Sequence, residues 1–205
     1  MIYLFTDYDL VTTEFEQELL NKLPPKRMEK AIRFKPRDGR LSCIIGYLLF
    51  LYGYRHLHKQ IDLPDFDITD NFKPFLANHS DIHFNISHCK DAACCIFSDH
   101  PVGIDIQEVR HGKMDAMLRV CSEDEQATIR NSDNPPMEFC KTWSIKEAIS
   151  KQSGDGIFRD IRNLSHEKLT IHTELIDGNK FLTAATMTDS DFEINKLSLS
   201  QLLKL

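Results

Sequence analysis

Two polar side chains in one apolar stretch have the types and spacing for cation binding. In VGIDIQEV, which begins at Val102, apolar and polar residues alternate, so on an extended strand Asp105 and Gln107 share one face and Glu108 falls on the other. The side chains of Asp105 and Gln107 are then about 7 Å apart. Their oxygens would suit a metal ion, but the same alternation also fits a solvated strand edge.

A second group of charged residues lies in FCKTWSIKEAISKQSGDG, residues 139–156. At helical spacing Trp143, Glu147 and Lys151 lie on one side, with Lys146 beside them. One helix therefore offers a carboxylate flanked by two ammonium groups. Two interpretations remain open: an exposed helix with a Glu147–Lys151 ion pair, or a metal carboxylate next to lysines that bind phosphate.

The segment FNISHC, residues 84–89, offers a possible nucleophile and base. Ser87 and His88, with Asp105 as a third member, are the residue types of a hydrolase. Adjacent residues on a strand point to opposite sides, which weakens this pairing and also a pairing of Cys89 with His88. Two interpretations of His88 are equally open: a histidine at the end of a strand whose ring nitrogens are hydrogen-bonded within the protein, or a residue that binds a ligand.

A basic cluster lies in KRMEKAIRFKPR, where Arg27 and Lys30 share a helix face. Such a run is either a solvated surface or a phosphate site. The other histidines and the acidic residues of DITDNF lack the spacing of zinc ligands, so no structural zinc site is predicted.

Composition restricts the class of protein. The chain has 205 residues, 41% hydrophobic and 27% charged, which is typical of globular proteins. Its net charge of −6 argues against nucleic acid as a partner.

The six cysteines form no CxxC pair and no secretory leader is recognised, so reduced thiols in the cytoplasm are expected. The uncharged run 41–54 is too short for a bilayer and indicates a core helix, so no membrane partner is expected.

Periodicity predicts helices and strands in both halves of the chain. Strands are expected at IYLF, DIHFNIS, AACCIF, VGIDI, KLTIHTEL, KFLTAATM and NKLSLS. Helices are expected at 14–23, at KRMEKAIRF, from about Arg40, at MDAMLRV, at SEDEQATI with a Ser122–Glu125 capping box, and at 137–152, where SGDG ends the helix. The predicted fold class is α+β.

Five segments follow one another from about Pro25 to Gly156: the basic helix, KPF, FNISHC, GIDIQ and WSIKEAISKQ. In this order they resemble the 4′-phosphopantetheinyl transferase superfamily. More closely, it resembles the two-lobed type that activates peptide, polyketide and fatty-acid synthases. The resemblance implies a monomer of two similar lobes about a pseudo-two-fold axis, each a small antiparallel sheet packed with helices. Residues 1–101 would form the lobe that contacts the coenzyme A 3′-phosphate and adenine. Residues 102–205 would form the lobe with the metal, the pyrophosphate site and the catalytic helix.

The resemblance also implies roles in the second lobe. It implies that Asp105 and Glu147 bind magnesium and that Lys146 and Lys151 contact the coenzyme A pyrophosphate. Glu147 would act as general base, and Lys151 would stabilise the leaving group. The family often has glutamate where this chain has Gln107, so Gln107 is a candidate third metal ligand that lacks a charge, and weaker metal binding is expected.

In the first lobe the implied residues all contact coenzyme A. Arg27 and Lys30 match basic residues at the 3′-phosphate, and Lys73 of KPF matches another lysine of the coenzyme site. Ser87 and His88 would line the same pocket, with His88 near the 3′-phosphate. Ser87 is then a phosphate ligand and not a nucleophile.

The implied reaction moves phosphopantetheine from coenzyme A to a serine of an apo acyl or peptidyl carrier protein, leaving adenosine 3′,5′-bisphosphate. Met114, Met117 and Leu118, flanked by Lys113 and Arg119, would suit an acidic carrier helix, or they belong to the core of the protein itself. Two alternatives are a coenzyme A-binding or carrier-binding module without turnover and a Ser/His hydrolase.

Overall fold

The structure is a computed structural model that describes residues 1–59, 66–71, 73–77, 79–154, 161–164, 167–189 and 191–205. Residues 155–156, the end of the predicted SGDG stop signal, and Phe72, the last residue of DITDNF, lie outside these described residues.

Helices and short strands occur in separate groups along the chain. The strands are β1 (Ile2–Phe5), β2 (Phe66–Ile68), β3 (Pro74–Leu76), β4 (His83–His88), β5 (Ala93–Ser98), β6 (Val102–Glu108), β7 (Thr170–Ile176), β8 (Lys180–Thr186) and β9 (Ile194–Lys196). The helices are α1 (Thr13–Asn21), α2 (Pro25–Ile32), α3 (Arg37–His58), α4 (Met114–Met117), α5 (Glu123–Asn131), α6 (Pro135–Ser153) and α7 (Leu199–Leu203). The predicted α+β class is confirmed.

The two halves of the chain repeat one topology. Strand β1, the long helix α3 and the hairpin β4–β5 give the strand order β4-β5-β1, and strand β6, helix α6 and the hairpin β7–β8 give β7-β8-β6. In each half the first strand pairs antiparallel with the second strand of the hairpin. The two halves are therefore similar in architecture, although no sequence repeat is visible.

The chain returns to its first sheet at the end. Strand β9 pairs in parallel with β1, with Ile194 opposite Ile2. Leu197 and Leu202 are fully buried in the core that surrounds α3. A division of the chain between residues 101 and 102 stays a prediction, since residues 194–203 pack on the sheet of the first half.

Helix α3 forms the core of the first half. The uncharged run 41–54 lies in α3, where Ile45, Leu48 and Leu49 are fully buried, so the prediction of a core helix is confirmed. In the described ranges no helix combines the length and apolarity needed to cross a bilayer.

The apolar face of VGIDIQEV packs between the two sheets. Ile104 and Ile106 of β6 are fully buried and lie in one cluster with Ile2 and Leu4 of β1 and Ile96 of β5. The alternation in the sequence therefore predicted the strand and its buried face. Asp105 consequently lies on the other face, towards α6.

Helix α6 packs closely against β6 because Gly103 has no side chain at the point of contact. A Cβ atom added to Gly103 would lie 2.0 Å from the Ala148 carbonyl oxygen and 2.4 Å from the Gln152 backbone nitrogen. These are backbone atoms of a helix and cannot rotate away. The glycine of the GIDI motif therefore serves helix packing. The residue after the last turn of α6 is Gly154, which caps the helix with a φ of +75°, a backbone conformation that favours glycine.

We expect Gly103→Ala to push α6 away from β6 and to lower the free energy of unfolding by at least about 2 kcal/mol, as for an overpacked core. The measurement is urea unfolding followed by circular dichroism. Gly112→Ala is the control, because a Cβ there meets the flexible Met117 sulfur at 3.1 Å, and its effect should stay within about 0.5 kcal/mol. Equal stability of the two variants would contradict the role given to Gly103.

Candidate active site

Asp105 is a buried carboxylate at the junction of the two halves. It is 4% exposed. Its Oδ1 accepts hydrogen bonds from Lys151 Nζ at 2.6 Å and from Ser87 Oγ at 2.8 Å. Its Oδ2 is buried without a hydrogen-bond partner in the described parts of the chain. Because an unpaired buried oxygen is costly, this atom marks a place where a further ligand would be stabilised.

The NIS segment of β4 holds this junction together. Strand β6 pairs with β8 along one edge. On its other edge the Ile104 amide donates to Asn85 Oδ1 at 3.0 Å, and the Ile106 amide donates to Ser87 Oγ at 3.3 Å. Two side chains of β4 thus replace a neighbouring strand and satisfy buried amides. Asn85 is not predicted as a site residue from the sequence, although its spacing of two residues from Ser87 places both on one strand face.

The bonds of Ser87 argue against a hydrolase. Its hydroxyl proton goes to Asp105, and its oxygen accepts from Lys151 Nζ at 2.9 Å and from the Ile106 amide. His88, the next residue, lies at the exposed end of β4. Among the described residues the partners of Ser87 Oγ are Asp105, Lys151 and the Ile106 amide rather than His88, so Ser87 serves as a polar bridge between the halves.

Helix α6 brings two of the predicted residues to Asp105. Glu147 and Lys151 lie one turn apart, with Lys151 Nζ 4.0 Å from Glu147 Oε2. Burial raises the pKa of Glu147, the Lys151 ammonium opposes this rise, and the charge of Asp105 adds to it. Glu147 therefore takes up a proton at higher pH than an exposed glutamate, as suits a general base.

Lys146 lies on a different side of α6 from this cluster. It is 3% exposed, and its ammonium binds Glu125 Oε2 at 2.9 Å and the carbonyl oxygens of Ile161 and Arg162 at 2.8 and 3.1 Å. Three acceptors use all three protons of the ammonium. The contact of Lys146 with pyrophosphate, which the resemblance implies, therefore stays a prediction and would require these contacts to be broken. Glu125, the capping-box glutamate of α5, is the partner that the sequence could not reveal.

The basic residues of the first half lie around β4 and α2. The Arg27 guanidinium stacks on the rings of Tyr47 and Phe66, with 5.3 and 4.7 Å to their centroids. Lys30 is exposed on the same helix. Desolvation lowers the pKa of His88, and the ammonium of Lys151 lowers it further, with a smaller lowering by Lys30 and an opposing effect of Asp105. His88 thus lies within the electrostatic reach of both lysines.

Lys73 joins the two halves at the end of α6. Its ammonium donates to the Gln152 carbonyl at 3.0 Å and to the Val102 carbonyl at 3.4 Å. Burial lowers its pKa to about 8. Among the described residues these two carbonyls are the acceptors of its ammonium, which has three protons to donate.

Gln107 lies two residues beyond Asp105 on β6. It lines a cavity of about 390 Å³ together with Trp143 and Met117.

The segment next to this cavity belongs partly to the protein core. Leu118 is 1% exposed and packs with Cys121 and Ile129, and Met114 packs against the same cluster. Of the three candidate docking residues, Leu118 therefore belongs to the interior.

Comparison with known proteins agrees with the resemblance. Residues 101–198 match the family model described as the 4′-phosphopantetheinyl transferase superfamily. The 4′-phosphopantetheinyl transferase Sfp of Bacillus subtilis (strain 168) is 25% identical, with 94% of this chain and 95% of that protein covered. The 4′-phosphopantetheinyl transferase gsp of Aneurinibacillus migulanus is 26% identical over 83% of this chain and 74% of its own length. The 4′-phosphopantetheinyl transferase psf-1 of Bacillus pumilus is 34% identical over 62% of this chain and 56% of its own length.

The matches include both halves of the chain and the strand, hairpin and helix that build the Asp105 cluster. Sequence and architecture therefore agree that the chain belongs to the 4′-phosphopantetheinyl transferase superfamily.

Proposed function

We propose that this protein transfers 4′-phosphopantetheine from coenzyme A to a serine of an apo acyl or peptidyl carrier protein. The observation that carries the proposal is the buried Asp105, whose Oδ2 has no hydrogen-bond partner among the described residues, next to Glu147 and Lys151 at the junction of the halves. The relatives that match most of the chain bear the name of this activity.

The residues at the junction fit a magnesium ion. In the part of the chain that the structure describes, no group of three or more His, Cys, Asp or Glu side chains could hold a metal. Asp105 and Glu147 offer two carboxylates, and Gln107 offers an amide oxygen further along β6. Magnesium often binds through one or two carboxylates together with waters and substrate phosphate oxygens. When bound, it would neutralise and polarise the pyrophosphate.

The side chains divide the work of the transfer. The carrier serine oxygen bonds to the β-phosphorus of coenzyme A, its proton passes to Glu147, and the bond from the β-phosphorus to the bridging oxygen breaks. Adenosine 3′,5′-bisphosphate leaves with the electron pair. Lys151 stabilises the charge that grows on the leaving group, and Ser87 keeps Lys151 and Asp105 in position.

The basic residues of the first half are proposed to bind the adenosine 3′-phosphate. Arg27 is held flat by two rings, Lys30 is exposed beside it, and His88 lies at the end of β4 towards Lys151. Lys73 is proposed to contact coenzyme A as well. This local positive charge would hold coenzyme A despite the net charge of −6.

We further propose that the protein acts as a monomer in the cytoplasm. Two similar halves already complete one site within one chain. The six cysteines are free thiols, which agrees with a reducing compartment.

The proposal is tested by incubating the protein with coenzyme A, magnesium and a panel of apo carrier proteins, and by measuring the intact mass of each carrier. The wild type should add one phosphopantetheine group. Asp105→Asn and Glu147→Gln, which keep the side-chain shape, should each lower the rate by at least about 100-fold.

Glu138→Gln is the matched control for this assay, because it makes the same change earlier in α6, away from Asp105. It should transfer at the wild-type rate. Binding of coenzyme A without a mass gain on any carrier would favour a binding module over a transferase. Wild-type rates in both Asp105→Asn and Glu147→Gln would contradict the assignment of the site.

We expect Gln107→Glu to lower the magnesium concentration that gives half-maximal transfer by about tenfold, because an added carboxylate is worth about 1.4 kcal/mol to a nearby cation. The measurement is the initial rate against magnesium concentration, with the exposed Gln17→Glu on α1 as control. An unchanged curve would show that the side chain at position 107 does not reach the metal.

Lys146 is proposed to hold the orientation of α6, so its removal and the removal of Glu125 should have the same effect. Lys146→Met and Glu125→Gln should each lower kcat with little change in the KM for coenzyme A, whereas Lys151→Met should raise that KM. In urea unfolding the two substitutions should be coupled by about 1 to 3 kcal/mol. Additive effects, together with weaker coenzyme A binding in Lys146→Met alone, would return Lys146 to the pyrophosphate site.

A further inference from the structure

The ammonium of Lys151 lies between the two carboxylates that would bind the metal. Lys151 Nζ is 2.6 Å from Asp105 Oδ1 and 4.0 Å from Glu147 Oε2. Ser87 Oγ accepts a third contact from it at 2.9 Å. The chain therefore supplies its own positive charge at the place where two negative charges meet.

The other lysines near the junction are engaged elsewhere. The ammonium of Lys146 binds Glu125 and two carbonyls, and that of Lys73 binds the carbonyls of Gln152 and Val102. Of these three lysines, Lys151 is the one that neutralises Asp105.

A divalent cation and the Lys151 ammonium would compete for binding to the carboxylates of Asp105 and Glu147. Both are attracted by Asp105 and Glu147, and in a poorly solvated site they repel each other strongly. A cation bound to the protein alone must either displace Lys151 from Asp105 or remain beside it. The pyrophosphate of coenzyme A changes this balance, because it adds negative charge and gives the ammonium another partner.

We propose that Lys151 is a built-in counter-ion that keeps divalent cations from binding Asp105 until coenzyme A is present. The inference rests on the proposed function and adds an order of binding to it. The side chain is suited to such a move: it is 28% exposed and has four flexible methylene groups, so its ammonium can pass from Asp105 to a phosphate while α6 stays in place.

Cooperativity between metal and coenzyme A follows from this competition. Coenzyme A raises the affinity for the cation by removing Lys151 from Asp105, and by linkage the cation raises the affinity for coenzyme A by the same factor. Such coupling would favour the complete complex over protein loaded with either ligand alone.

The test measures Mn²⁺ binding by electron paramagnetic resonance, in which free Mn²⁺ is counted, with and without coenzyme A. Carrier protein is left out, so no turnover occurs. Without coenzyme A, Lys151→Met should bind Mn²⁺ at least about tenfold more tightly than wild type. The control Lys141→Met removes a lysine from the same helix, at a position that faces a different groove, and should match wild type. Coenzyme A should tighten Mn²⁺ binding at least about tenfold in wild type and much less in Lys151→Met.

A second variant keeps the test valid if Lys151→Met is unstable with its unpaired Asp105. The double variant Asp105→Asn/Lys151→Met carries no charge at position 105 that Lys151 would have to neutralise, should fold by circular dichroism, and should bind Mn²⁺ no better than wild type without coenzyme A. Mn²⁺ binding by this double variant as tight as by Lys151→Met would overturn the proposal, because the cation would then not be at Asp105. Equal affinity of wild type and Lys151→Met for Mn²⁺ without coenzyme A would also overturn the proposal. That result would not contradict the proposed transfer function. Failure of the proposed function would be recognised separately, as absence of carrier modification by wild type in the mass assay.

Discussion

The burial of one carboxylate, Asp105, is the constraint on which the rest of the structure depends. A charged group that is 4% exposed is costly unless it is paired and hydrogen-bonded. Its partners come from two places distant in sequence: Ser87 from the hairpin of the first half and Lys151 from the long helix of the second. The two halves must therefore be packed correctly for this carboxylate to be tolerated at all.

Several features of the fold serve this junction. Asn85 and Ser87 satisfy the amides on the outer edge of β6, so that the strand can lie between the sheets. Gly103 lets α6 approach β6 closely enough for Lys151 to reach Asp105. Lys146 ties a different side of α6 to Glu125, and this pairing is proposed to hold the rotation of the helix about its own axis. Each contact is ordinary alone, and together, in the described parts of the chain, they leave Asp105 Oδ2 without a hydrogen-bond partner.

The sequence predicted the parts of this arrangement that depend on local spacing. The alternation around Asp105 gave a strand with one buried face, and the helical spacing of Glu147 and Lys151 placed both on one side of α6, which the structure brings to Asp105. Contacts between distant segments could not be predicted in this way. The pairing of Lys146 with Glu125 depends on how α5 packs beside α6, and the parallel pairing of β9 with β1 joins the two ends of the chain without a local signal.

The central claim is that coenzyme A and a divalent cation meet at Asp105, between the two halves. A crystal structure of the protein with coenzyme A and Mn²⁺, with the metal located by anomalous scattering, tests this claim most directly. We expect an anomalous peak in contact with the carboxylates of Asp105 and Glu147, and the Lys151 ammonium on the pyrophosphate. Coenzyme A bound away from the junction, with Lys151 still on Asp105 and no metal peak beside it, would contradict the account.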